Sequence, residues 1–487
     1  MKFKKYIVLV AGLSLLHVSC NKYLEVDPDN RAKLNSPAAL RELLATAYPQ
    51  ASYVIMAESM SDNFSDKGIF ASSVVNPINR DVYLYRENIQ SNAEDSPDYY
   101  WAACYKAIAA ANQALKYIDE QGSPADMKAY KGEALLCRAY AHFMLSVFFA
   151  RTYGDANPET TPGIPYVTEV EDVVIKKYSR GTVKSLYDNI QSDLEAGLPL
   201  INDEAITNLE ATAYHFNTRA ALAFATRFYM FKKDYQSVIK YAKKLLPNPT
   251  IISNTLRDIV AYKPLPYYGL QQKYTSISEP ANLLLATSPS KVADYPYFRF
   301  GANGAFTTAF MWKEPPVSGA SYAWNLYGQD NLYNIPKYRP YENQSVNYIV
   351  NVLFSVEEVL FNWAEASIMT QDYDNALSLF NLYLKKKLVS SSNFPISDLT
   401  DNQLKTAFST STNDAKQDYY IAAALDFKRR EYAFEGMRWL DMIRHRIPVV
   451  HNTSESSNDI VVGANDPRRI LQIPLEVQMS GVERNPR

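Results

Sequence analysis

The chain has 487 residues, 47% hydrophobic and 21% charged, a composition that excludes a disordered polymer and leaves room for several domains or one large one. Lys+Arg 50 against Asp+Glu 52 gives a net charge of −2, and no basic run exceeds Lys385-Lys386-Lys387, so the clustered positive surface that nucleic acid requires is missing. The 37 tyrosines are many and the 16 glycines few, which fits a helical protein with wet aromatic surfaces, because a tyrosine ring packs while its hydroxyl stays hydrated.

The N-terminus begins with Lys2, Lys4 and Lys5, continues as the apolar run Tyr6–Leu16 and ends at His17-Val18-Ser19-Cys20. A basic start, an apolar core of about 7–15 residues and a small residue before the cut describe a secretory signal peptide. The run is shorter than the ~20 residues that span a bilayer. The cysteine after Ser19 makes residues 1–19 resemble a bacterial lipoprotein signal, with Cys20 lipidated as the mature N-terminus, although His17 holds the place usually taken by leucine. The alternative is an ordinary signal peptide. Asn21 after the cysteine, in place of aspartate, favours the outer membrane. The remaining cysteines, Cys104 and Cys137, form no CxxC, which excludes a thioredoxin-like dithiol and a zinc ribbon. Both stand in apolar helical stretches and read as buried hydrophobes, with a disulfide between them left open.

Helical periodicity dominates the mature chain. Trp101–Asp119 reads as one helix with a face of Ala102, Ala103, Ile108, Ala109, Ala111, Leu115 and Ile118. Met127–Phe149 reads as a second, apolar nearly all round, ended by Arg151-Thr152-Tyr153-Gly154-Asp155 and by the proline-flanked block Pro158–Pro165. Thr182 caps a third over Thr182–Leu198, with a stripe of Val183, Leu186, Ile190 and Leu194. Ala220–Leu246 and Leu360–Leu384 look alike: each is a helix, a polar turn, an Asp-Tyr pair (Asp234-Tyr235, Asp372-Tyr373) and a second helix. They resemble tetratricopeptide hairpins, but the pairs are 138 residues apart, so long insertions replace the usual ~34-residue tandem period.

Two stretches lack a sustained helical period, Ser59–Pro97 and Pro247–Val346. Insertions of such length inside a folded domain are usually functional. They hold Phe64, Phe70, Tyr83, Tyr85, Tyr262, Tyr268, Tyr274, Tyr297, Phe298, Trp312, Tyr322, Trp324 and Tyr327 among their aromatic residues. No HExxH, GxSxG, P-loop or GxGxxG occurs. His142 on its apolar helix reads as a satisfied core histidine, and His445 between Arg444 and Arg446 is poorly placed for zinc. Glu58, Asp62 and Asp66 offer the raw material of a glycosidase carboxylate pair, which only geometry can decide.

Four segments together resemble the SusD/RagB family of Bacteroidetes outer-membrane lipoproteins. They are Cys20 through Pro28, Trp101 through Leu115, Gly132 through Tyr140 with the Tyr153-Gly154-Asp155 exit and Gly163-Ile164-Pro165, and Arg429 through Arg444; Ile473-Pro474, Glu476 and Asn485-Pro486 resemble the closing motif. Arg429–Arg444 reads as one helix, whose residues alone give an apolar stripe of Ala433, Met437, Leu440 and Ile443. Arg438–Asp441 and Asp441–Arg444 pairs flank it, Glu431 and Glu435 read as core ion pairs, and a close neighbour is needed to explain Gly436.

The resemblance implies a mainly α SusD-like fold of tetratricopeptide-like hairpins with long irregular insertions. After the 1–19 signal, residues 20–487 would be one such domain, with a helical scaffold over about 100–246 and 350–450 and a ligand face from about 59–97 and 247–346. It also implies a non-catalytic protein, lipid-anchored at Cys20 to the outer membrane and facing the cell surface. Such a protein captures a glycan, or a peptide, for a SusC-type TonB-dependent barrel, with no nucleic acid involved. No cofactor is expected; a structural calcium stays open. From composition, the candidate ligand residues are Tyr268, Trp312, Trp324 and Tyr327, with Asp62 and Asn63 as polar partners. A surface glycan hydrolase and a ligand-free envelope scaffold are the competing classes.

Overall fold

The computed structural model describes residues 34, 36–87, 92–154, 157–171, 176–205, 212–302, 306, 313–323, 337–340, 348–390, 395–411 and 413–487. Residues 1–40 group as one unit and residues 41–487 as another, whose architecture is the one that matters for function. From residue 54 onward it holds α1 (Val54–Met60), strand β1 (Ser65–Asp66) and α2 (Pro77–Tyr83). Three long antiparallel helices come next: α3 (Pro97–Glu120), α4 (Lys128–Phe149) and α5 (Val183–Gly197).

Local chemistry sets their starts. The Ser96 hydroxyl accepts from Tyr99 N ahead of Pro97, and Thr182 with Ser185 forms a reciprocal capping box. The buried side of α3 is Trp101, Cys104, Ala107, Ile108, Ala111, Leu115 and Ile118, while Ala102 and Ala109 face solvent. The alanine-rich sequence makes both readings look apolar, and the larger side chains decide which face turns inward. From Gly132 to Phe149, α4 is buried on every side, as its sequence implies. Val183, Leu186, Ile190 and Leu194 are all buried, and each such side chain contributes about 1.5–3 kcal/mol.

Two glycines let α4 and α5 touch backbone to backbone: a Cβ on Gly132 would stand 2.9 Å from the Gly197 carbonyl oxygen, and one on Gly197 2.9 Å from that of Gly132. Arg138 of α4 ties the layer together by donating to both Asp193 carboxylate oxygens of α5 (2.6 and 2.7 Å) and to Asn112 Oδ1 of α3 (3.0 Å). His142 is the satisfied core histidine expected, with Nδ1 2.8 Å from the Arg138 carbonyl and Nε2 accepting from Val167 N at 3.0 Å. Cys104 and Cys137 are buried free thiols.

The two repeat-like segments form matching hairpins, α6 (Thr218–Lys232) with α7 (Tyr235–Leu245), and α8 (Val356–Met369) with α9 (Tyr373–Leu384). In each, one left-handed residue makes the turn (Lys233, φ 61°; Gln371, φ 64°), and the aspartate of the Asp-Tyr pair caps the second helix by accepting from Ser237 N or Asn375 N. A buried ion pair joins the hairpins, because Arg227 of α6 donates to both Glu358 oxygens of α8 at 2.5 and 2.6 Å. Removing either partner would strand a desolvated charge.

The helices α10 (Lys416–Glu431) and α11 (Met437–Arg444) correct the sequence reading of Arg429–Arg444 as one continuous helix. The chain breaks between them, with Phe434 at φ 70° and Gly436 at φ 77°. A Cβ on Gly436 would stand 3.0 Å from Ala57 Cβ and 3.1 Å from the Tyr53 ring, which is the close neighbour its presence required. The break also redirects the charges. Arg438 turns to Asp62 and makes no pair with Asp441, which instead receives Lys428 (2.7 Å) and Arg444 (2.9 Å). Glu431 and Glu435 do form core ion pairs, with Lys387 and Lys337.

The second insertion is more regular than its sequence suggests. Short helices at Pro249–Thr255, Ile259–Tyr262 and Tyr267–Tyr274 lead into β2 (Asn282–Pro289), β3 (Phe300–Gly301), β4 (Ala320–Tyr322) and β5 (Arg339–Pro340). Strand β2 pairs antiparallel with β6 (Tyr348–Ser355), placing Leu285 opposite Val352 and Thr287 opposite Val350, and β5 flanks β6 on its other side. The run Leu283-Leu284-Leu285 is fully buried, so it lacks the alternation that marks a half-exposed strand. Strand β4 pairs with β7 (Leu388–Ser390), and β8 (Val449–His451) forms a hairpin with β9 (Ile460–Val462).

Candidate ligand-binding face

The two insertions, separated in sequence by residues 98–246, fold against each other. Strand β1 pairs antiparallel with β3, setting Ser65 opposite Gly301 and Asp66 opposite Phe300, and Val74 bridges Phe298. Lys67 N donates to the Arg299 carbonyl (3.0 Å), Arg299 N to the Val74 carbonyl (2.8 Å), and the Ser72 hydroxyl to the Tyr297 carbonyl. Underneath lies one apolar cluster drawn from both insertions and from the scaffold: Phe64 and Tyr83, then Phe298, Phe300 and Tyr338, then Val54, Ile55 and Phe434.

Asp66 is the polar anchor of this junction. Its carboxylate accepts both arms of the Arg299 fork (2.7 and 2.7 Å), together with Ser454 N (2.9 Å) and Gly68 N (2.9 Å). Burial works against the charge, but Arg299 and these donors hold the carboxyl well below the usual carboxylate range. The backbone of 66–75 is thereby fixed from below.

What it presents above is apolar. Phe70 is fully exposed, Ile69 is 63% exposed, Tyr297 61% and Val74 50%, with Val75 beside them. The chain leaves large hydrophobic side chains in water here, on two segments bonded to each other, and clustered exposed apolar groups mark interaction sites. A planar ring open to solvent can stack on the C–H face of a pyranose, and the aliphatic neighbours extend that dry surface.

Most of the insertion aromatics serve the core instead. Phe64, Tyr83, Tyr85, Tyr262, Tyr274, Phe298 and Tyr322 are buried. Of the candidate ligand residues, Tyr268 is 75% exposed, on the helix whose Leu270 packs with Ile259, Tyr262 and Ala323 in a second small cluster. Trp312, Trp324 and Tyr327 lie outside the described residues.

Asp62 and Asn63 take structural positions. Asn63 is 1% exposed, donates Nδ2 to Glu58 Oε2 (2.9 Å) and accepts Arg429 Nε on Oδ1 (2.7 Å). Asp62 accepts the Arg438 fork at 2.8 and 2.8 Å, and its carbonyl accepts Arg429 Nη2 at 3.0 Å. Glu58 Oε1 accepts Gly436 N at 2.8 Å, and burial raises its carboxyl above the ordinary value. Glu58, Asp62 and Asp66 are thus each held by protein partners and offer no free acid and base across a glycosidic bond. Phe70 and Tyr297 were visible in the sequence as insertion aromatics. The signal that could have ranked Phe70 first is its setting, an apolar Ile69-Phe70 pair among Gly68, Ala71, Ser72 and Ser73, where no core periodicity exists.

Among the described residues no group of three or more His, Cys, Asp or Glu side chains could hold a metal, and no helix is long and apolar enough to cross a membrane.

Comparison with known proteins agrees with this architecture. Residues 22–230 match a SusD-like family model described as "Starch-binding associating with outer membrane". A SusD superfamily protein from Bacteroides thetaiotaomicron superposes with a TM-score of 0.67 at 17% identity, covering 92% of this chain and 98% of that one. A SusD-like carbohydrate binding protein from Bacteroides vulgatus gives 0.62 at 16% identity over 91% and 96% of the two chains. Surface glycan-binding protein A from Bacteroides fluxus gives 0.57 at 16% identity over 93% and 99%. No curated protein matches in sequence.

Proposed function

From a chain that belongs to the SusD/RagB-type family, we propose a non-catalytic outer-membrane protein that binds nutrient glycans at the cell surface and passes them to a SusC-type TonB-dependent barrel. The observation that carries this reading is the joined insertion face, on which Phe70 and Tyr297 stand exposed over a base hydrogen-bonded between the two insertions. Sugar rings bind through such faces because each ring pairs an apolar C–H side with a hydroxylated edge, and an amphipathic aromatic surface satisfies both. The names of the relatives, starch-binding and surface glycan-binding, support the same ligand class.

Within this proposal Cys20 carries the lipid anchor, and a lipoprotein cysteine with more than one acyl chain would hold the protein permanently at the membrane. Tyr268, Trp312, Trp324 and Tyr327, from the second insertion, supply further aromatic contacts. Asp62 and Asn63 act in the framework beneath the face. No cofactor takes part.

Calorimetric titration of the soluble form beginning after Cys20, against polysaccharides, oligosaccharides and mixed peptides, tests the reading. Saturable binding of a glycan without turnover is expected. Binding of peptides alone would move the protein to peptide capture, and cleavage of a bound oligosaccharide would make it a hydrolase. Co-purification with the barrel from membranes tests delivery.

A further inference from the structure

A cavity separate from the ligand-binding face lies in the helical scaffold. It encloses about 480 Å3, within the range of ligand pockets, between the α6–α7 turn, α8, α10 and α11. None of its lining residues comes from 59–97 or 247–346. Its apolar floor is Met230, Phe231, Met369, Ile421 and Leu425, with Tyr235 beside it. Of its two rings, Phe231 is buried and Tyr235 half-buried, so neither offers the fully open face that Phe70 presents, and the two methionines adapt to apolar side chains of varied shape.

The charges around it are of two kinds. Glu365 is closed off by the Arg444 fork (2.7 and 2.8 Å), with His445 Nε2 3.0 Å away. Lys233 and Asp418 are different: neither side chain has a protein partner among the described residues. Lys233 sits at the left-handed turn between α6 and α7, and its side chain lies across Gly154, where a Cβ would stand 2.7 Å from Nζ. Asp418 lies in the first turn of α10. One unpaired cation and one unpaired anion therefore border an apolar floor, each on a different element.

We propose that this cavity is a docking site for a linear peptide segment of a partner protein. The segment places one apolar side chain on the Met230–Leu425 floor, an acidic residue at Lys233 and a basic residue at Asp418. Opposite charges flanking a hydrophobic anchor fix the direction in which the segment lies as well as its affinity. The site is independent of the glycan face, and either can fail without the other.

The test uses the soluble chain and fluorescein-labelled octapeptides with acetylated and amidated ends. Each octapeptide carries a central leucine, methionine or phenylalanine, with aspartate and lysine on either side in both orders. Saturable polarisation is expected for one order over the other. Lys233→Glu and Asp418→Lys should each weaken binding at least tenfold, and the double exchange should reverse the preferred order. Leu425→Arg should abolish binding with the thermal melt checked in parallel, while Phe70→Ala should leave it unchanged. No saturation by any octapeptide, equal binding of both charge orders, or equal binding to the Leu425→Arg chain would overturn the proposal.

Discussion

Replacing Asp62 with alanine removes the acceptors of the Arg438 fork and leaves that guanidinium, 9% exposed, beside Arg429 with no counter-charge between them. Breaking a fully buried pair costs about 3–5 kcal/mol. The Asp62 side chain keeps 27% of its surface in water, which screens part of the loss and sets the expectation at about 2–3 kcal/mol. The assay is urea unfolding at pH 7, where the midpoint should fall with the slope unchanged. Burial opposes the charge on Asp62, yet Arg438 and Arg429 hold its pKa below the ordinary value. The stabilisation is therefore complete above the unfolded carboxylate range near 4 and is lost as pH falls below it. Glycan affinity of the folded variant should stay within about twofold of wild type, because the carboxylate touches protein and not the exposed face. Unchanged stability together with a loss of binding would refute the structural role assigned to Asp62.

Gly436→Ala should cost about 2–4 kcal/mol in the same assay, since it adds a left-handed backbone penalty to a Cβ pressed on Ala57 and the Tyr53 ring. Phe70→Ala and Tyr297→Ala should each change stability by no more than about 0.5 kcal/mol, both side chains being solvent-exposed, while weakening glycan binding. Burial lowers the His142 pKa from 6.5 to about 3, so between those values the unfolded chain binds more protons and stability falls on acidification. Burial raises Asp95 to about 6, with the opposite sign: its folded carboxyl takes up a proton first, and stability is recovered as pH falls from 6. Asp95→Asn should therefore steepen the loss of stability between pH 7 and pH 4.5 by about 2 kcal/mol, measured by urea unfolding at the two pH values.

The helical scaffold was legible because its signals are local. Thr182, Asp234 and Asp372 cap the helices they precede, and the apolar stripe of α5 has the helical period. The break at Phe434–Gly436 was not, because its causes lie far away in the chain: Ala57 and Tyr53 press on Gly436, and Glu58 accepts its N–H from 378 residues off. The same distance hid the protein partners of Asp62 and Asn63. Polar residues in an aromatic-rich insertion suggest ligand contacts, and nothing local announces that Arg438 and Arg429 stand 376 and 366 positions downstream to engage them. Aromatic composition likewise marked the insertions without separating core rings such as Phe64 and Phe298 from the open ones, since that division depends on which loop packs under which.

Titration of the soluble chain with its glycan ligand, comparing wild type with the Phe70→Ala/Tyr297→Ala double variant, tests the central claim most directly. Binding through the joined insertion face predicts a saturable wild-type isotherm that disappears in a double variant of unchanged unfolding midpoint. An isotherm of equal affinity in the double variant would contradict it and place the glycan elsewhere on the molecule.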